Sequence, residues 1–184
     1  MASPTTSPLD PEAIFKQGAF FEIASIILEH DMSIRDRHGR TGIVVHFPTL
    51  IPAVVNSCFC IELYLKCMLV IENPALKPRG HSLLDFFNSI SNGVQQRIKH
   101  YYDESAATDP SFQAMQTQFP NLSYDLISVI TESSDSFQKW RYAYEAPLNQ
   151  GHRASHVRDG TRKAIIELTP AWQGIWDSLR RLPT

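Results

Sequence analysis

Glu62 and Lys66 stand four residues apart, acid before base, inside the most apolar stretch of this 184-residue chain. On a helix that order and spacing favour an ion pair, but the neighbouring residues are too apolar for a solvated helix surface. The two charges must therefore find partners. Two arrangements meet that need: an exposed stripe on a central helix, worth about 0.2–0.5 kcal/mol, or a partly buried polar cluster in which Glu62, Lys66, His81 and Arg141 satisfy one another. A second concentration of chemistry lies at 151–163, where His152, Arg153, His156, Arg158, Arg162 and Lys163 are accompanied by Asp159 alone among the acids. Arg153, His156, Arg158, Arg162 and Lys163 are candidate phosphate- or RNA-binding groups. The alternative is a solvated flexible loop, because no aromatics alternate with them for base stacking. His152 and His156 have one-turn spacing for zinc if helical, but without nearby Cys or acidic ligands no metal site is expected. The chain has no Walker lysine loop, no GxGxxG, no GxSxG and no paired-cysteine zinc motif, and no cofactor is expected.

The elements that position these groups follow from composition and patterning. With 43% hydrophobic and 20% charged residues there is apolar material for one core without disulfides or metals. A net charge of -2 gives no global attraction to nucleic acid, so any such site must be local. Cys58, Cys60 and Cys67 all fall in the most apolar stretch and read as buried thiols. Their odd number, and a start (MASPTTSPLDPE) with neither a basic region nor an apolar signal core, lead to an expected cytoplasmic location. The apolar window 50–71 contains Pro52, Asn56, Glu62 and Lys66, which would be costly in lipid, so it reads as a core helix and no membrane contact is expected.

Residues 1–9 have the composition of a flexible tail, and one helical domain is expected over 10–184. Asp10 and Pro11 start a helix to about residue 30 with a broad apolar face (Phe15, Phe20, Phe21, Ile27). The segment 31–47 reads as a loop with a short strand in GIVVHF. The central helix spans about 49–72 and ends at Asn73 before Pro74. Ser82 caps a short helix to about 91, another covers about 93–102, and 103–120 reads as an irregular connection. A helix beginning at Asn121 or Ser123 runs to about Tyr144, the segment 146–160 reads as a loop, and two last helical pieces meet at Thr169 and Pro170. Trp140, Tyr142, Tyr144, Trp172 and Trp176 are read as core or dimer packing before recognition.

Three motifs occur in order: ELYLKCMLV at 62–70, GHSLLDFF at 80–87, and the block from Phe137 through WRYAYE. Over about Ile51 to Glu145 the chain resembles the HEPN domains, helical bundles of prokaryotic defence and toxin systems. The resemblance implies an all-α, antiparallel bundle of about five or more helices and a homodimer. It also implies a polar cluster of Glu62, Lys66, His81, Arg141, Tyr142, Tyr144 and Glu145. The partners it suggests are RNA or a nucleotide and a cognate partner protein. Ribonuclease members carry an Arg and a His separated by four to six residues late in the domain; here Arg141 and His152 are separated by ten. Arg40 and His46 have the right spacing but precede the central helix. The resemblance therefore implies a regulatory or RNA-associated protein without the standard ribonuclease motif. A divergent metal-independent endoribonuclease is the enzymatic alternative, with Arg141 and His152 as its candidate catalytic pair. In that case the imidazole would move a proton between the 2′-hydroxyl and the leaving oxygen while the guanidinium stabilises phosphate charge. Otherwise Arg141 is structural, paired with Glu62 or Glu145. A third alternative is a dimeric protein-interaction module without catalysis.

Overall fold

Asp10 and Pro11 begin the first helix as their chemistry dictates: the Asp10 carboxylate accepts a hydrogen bond from the Glu12 amide at 3.0 Å, and the proline takes the first helical position. The computed structural model describes residues 8–37, 49–134 and 153–181, with the side chains of 31–37 excepted. Helix α1 runs Pro11–Arg37, so 31–37 is helical where a loop was expected. The GIVVHF stretch lies outside the described residues. Helix α2 (Leu50–Glu72) is the central element, with thirteen buried residues. By length and composition it is apolar enough to cross a membrane, but 67% of its most apolar window is buried against the rest of the bundle.

Helices α1 and α2 are antiparallel. The Cys67 thiol meets the Pro11 carbonyl at one end, and Ser25 meets Ala53 and Ser57 further along. Gly18 permits their close approach, because a Cβ there would sit 2.7 Å from the Tyr64 ring. Tyr64 stacks on Phe15, which also contacts Trp172. The three cysteines are buried free thiols, and burial pushes the Cys67 thiol up to about 12. Phe20, Ile26 and Ile27 of the broad apolar face of α1 remain exposed.

Short helix α3 (Leu83–Ser89) is capped by Ser82, whose hydroxyl accepts from the Asp85 amide at 3.2 Å. Helix α4 (Asn92–Thr108) continues past the expected end, and α5 (Pro110–Gln118) occupies much of the segment read as irregular. The reason is local: Asp109 and Pro110 repeat the start signal of Asp10 and Pro11, with the Asp109 carboxylate accepting from the Ser111 amide at 2.8 Å. Buried Tyr102 and Phe112 then hold the two helices to the core. Helix α6 (Leu126–Ser134) starts at Asp125, which accepts from the Ser128 amide, rather than at Asn121 or Ser123. The expected continuation to Tyr144 lies outside the described residues.

Helix α7 (Ala154–Leu168), a 3-10 turn (Pro170–Trp172) and α8 (Gln173–Arg180) complete an all-α bundle, with no strand among the described residues. Helix α7 packs on α2 and α4, α8 on α1, and α6 on α3. One hydrophobic cluster draws side chains from α1 through α8.

Candidate functional site

Because α2 is buried over most of its circumference, the charged side chains within it, Glu62 and Lys66, emerge along one edge, one turn apart, while Glu72 stands at its last residue. The Lys66 ammonium donates to Glu62 Oε1 at 2.7 Å and lies 5.0 Å from the centre of the Phe86 ring. Gly80, at φ 91°, turns the chain ahead of α3, and His81 Nδ1 comes to 3.1 and 3.2 Å from the two Glu62 oxygens. The Glu62 side chain is 9% exposed, Lys66 18% and His81 69%, so the carboxylate forms the floor of the cluster and the imidazole its rim. A carboxylate that orients an imidazole beside an ammonium can hold an anion and move a proton without a metal. Arg141, Tyr142, Tyr144, Glu145 and His152 lie outside the described residues. The last described residue of α6, Ser134, accepts from the Leu84 amide at 3.0 Å, which brings that helix end onto the first turn of α3.

The basic run at 153–163 is placed differently from its reading as a loop. It is helix α7 from Ala154 onward; Arg153 and Arg158 are buried and Arg162 is half-buried. The Arg158 guanidinium forms two hydrogen bonds with the Glu29 carboxylate, Nη1 to Oε1 at 2.8 Å and Nη2 to Oε2 at 3.0 Å, and Nη1 also reaches Ser25 and Ser57 at 2.7 Å. Arg162 Nε donates to Glu22 at 3.0 Å, its guanidinium lies over Trp176 at 4.4 Å, and it pairs with Asp159. Arg153 pairs with Glu132, donates to the Ser123 carbonyl and covers the Tyr124 ring. Lys163 lies between Glu104 and Asp159 at 3.4 and 3.3 Å. Taking a guanidinium out of water is costly unless it is paired and hydrogen-bonded, and these contacts commit the polar faces of Arg153, Arg158 and Arg162 to the interior.

Glu22, Ser25 and Glu29, the α1 partners of these guanidinium groups, belong to none of the motifs. Their spacing puts them on one face of α1, and the local signal is Glu22 inside the apolar run 19–28 with Glu29 at its end. Burial lifts the Glu22 carboxyl above its ordinary value, with Arg162, Arg158 and the Tyr64 hydroxyl at 2.6 Å pulling against it. Burial alone would lower Arg158, but hydrogen bonds and charge from Glu29 outweigh it and hold the guanidinium above its ordinary value.

His156 ties three helices together. Its Nδ1 lies 2.8 Å from the Ser105 hydroxyl on α4 and its Nε2 3.2 Å from Asp109 at the head of α5, while Phe112 packs edge-on at 4.6 Å. Both ring nitrogens are thereby occupied, and among the described residues no three His, Cys, Asp or Glu side chains converge as metal ligands. Burial lowers the imidazole below 6.5 against the opposing pull of Asp109 and Asp159. An imidazole depressed on folding stabilises the fold fully above its unfolded value, and that stability is lost as pH falls through the lower folded value. Acidification from neutral pH is therefore expected to lower the thermal midpoint, and His156→Gln to flatten that dependence. Parallel melting curves of the two proteins below pH 6.5 would refute the assignment.

Neither a family model, nor a curated protein, nor a solved structure matches the chain. The fold and the site thus stand on their own geometry. An open depression of about 200 Å³ between α3, α4 and α6, lined by Phe87, Gln95, Lys99 and Ile127, is smaller than the roughly 300–1,000 Å³ usual for small-molecule sites.

Proposed function

We propose that this chain is a HEPN-like regulatory or RNA-associated protein of a prokaryotic defence or toxin–antitoxin system, cytoplasmic and homodimeric, acting without the standard ribonuclease motif. The observation that carries the reading is the convergence of Glu62, Lys66 and His81: two of the motifs on which the resemblance rests meet at one carboxylate. The separation of Arg141 from His152 argues against standard cleavage chemistry.

Mixed RNA incubated with the protein at low salt without metal is expected to be bound and left intact. Cleavage that disappears in folded Arg141→Ala and His152→Ala variants would replace this reading with a divergent metal-independent endoribonuclease. No binding and no cleavage would replace it with a dimeric protein-interaction module. For such a module, exposed Phe20 and Ile27, seven residues apart on α1, offer a patch to a second copy.

A further inference from the structure

We infer, independently of the RNA-associated reading, that Ser105, His156 and Asp109 form an acyl-transfer site at the joint between α4 and α5, with Ser105 as nucleophile toward small neutral carboxylic esters. Ser105 lies in the last turn of α4, Asp109 ends that helix and caps α5, and His156 stands in the first turn of α7. His156 Nδ1 is 2.8 Å from the Ser105 hydroxyl, and its Nε2 is 3.2 Å from Asp109 Oδ2. The other carboxylate oxygen, Oδ1, accepts from the Ser111 amide at 2.8 Å, so the acid is held from both sides. A hydroxyl, an imidazole and a carboxylate within hydrogen-bond reach in that order supply a nucleophile, its base and the group that orients the base.

The contacts also fix the tautomer. An ionised Asp109 can only accept, so Nε2 carries the ring proton and Nδ1 presents its lone pair to the Ser105 hydroxyl. Burial favours the neutral ring, which leaves the base unprotonated near neutral pH. Phe112 and Tyr102 pack edge-on against the imidazole and hold its plane, while Ser105 is only half-buried and keeps contact with solvent. Glu104 beside Ser105 and Asp159 one turn after His156 add negative charge, with Lys163 held between them, and so disfavour anionic esters. Attack of Oγ on an ester carbonyl forms the bond from Ser105 to the acyl carbon and breaks the bond to the alcohol. The hydroxyl proton passes to Nδ1 and then to the departing oxygen. Water completes the turnover by the same path: it gives a proton to Nδ1, its oxygen joins the acyl carbon, and the serine oxygen leaves with that proton.

The test is incubation of the full chain with p-nitrophenyl acetate near neutral pH, followed by nitrophenolate release and by peptide mass spectrometry for an acetyl group on Ser105. Wild type is expected to carry that group, and Ser105→Ala to lose both the acetylated peptide and the nitrophenolate released with it. Asp109 is a positioning residue, and Asp109→Asn reads its role. Asparagine still caps α5 through its carbonyl oxygen, which leaves its amide group facing Nε2. The ring proton then moves to Nδ1, where it blocks the base. Acylation of Ser105 is expected to slow about 10²–10⁴-fold in this variant at wild-type helicity, the share that general-base catalysis supplies. No acetyl group on wild-type Ser105 overturns the assignment. Acylation of Ser105 that runs equally fast in a folded Asp109→Asn chain does the same, and either result leaves His156 as a structural tie.

Discussion

Arg158→Ala is expected to destabilise the fold by about 3–5 kcal/mol, the largest effect of any single exchange considered for this chain. The substitution deletes both hydrogen bonds to Glu29 and those to Ser25 and Ser57. It also removes a charge whose Nε lies 3.9 Å from Glu22, a carboxylate that is itself only 2% exposed. The loss arises from stranding acids in the interior rather than from any intrinsic value of the pair. Arg158→Met combined with Glu29→Gln is accordingly expected to cost less than the sum of the two single changes. The coupling should be about 0.5–3 kcal/mol, read from urea midpoints in a double-mutant cycle. A loss below about 1 kcal/mol for Arg158→Ala would mean that water reaches Glu22 and Glu29 in solution.

Gly160→Ala, by contrast, acts through the backbone. Glycine inside a helix ordinarily costs about 0.5–1 kcal/mol relative to alanine, so its place in α7 needs a reason. A Cβ at Gly160 would stand 3.1 Å from both the Ile98 carbonyl and the Tyr102 amide nitrogen of α4. Backbone atoms cannot step aside as a side-chain tip can, so the two helices must separate, with an expected loss of about 1–3 kcal/mol. Gly93→Ala in α4 meets no atom within 4 Å and is expected to stabilise by about 0.4–1 kcal/mol. Chemical denaturation of the two variants side by side provides the contrast, and similar midpoints would refute the close-approach argument.

The elements that could be read in the sequence are those whose signal is local. Asp10 with Pro11, Ser82 with Asp85, and Asn73 before Pro74 all mark ends that the structure keeps to within a residue or two. Asp109 with Pro110 carries the same start signal, but the polar residues around it mask the helix, and only Phe112 supplies a buried anchor. Helix α7 was hidden for a deeper reason. Its inward face mixes Val157, Ala164 and Ile165 with Arg158 and Thr161, so a search for apolar periodicity sees a charged loop. The Glu29 carboxylate that makes Arg158 tolerable lies 129 residues away on α1, and no local window contains it. At the candidate site, Glu62, Lys66 and His81 were named from spacing and motif.

The distance along the chain between Glu29 and Arg158 also sets an order of events during synthesis. A nascent chain emerging from the ribosome presents α1 and α2 first, with apolar faces ready to pair and two carboxylates that their packing would bury without a counter-charge. The hairpin cannot close over Glu22 and Glu29 at low cost until α7 has been made. A chain cut short of Arg158 and Arg162 is therefore expected to hold α1 and α2 together less firmly than the full chain does.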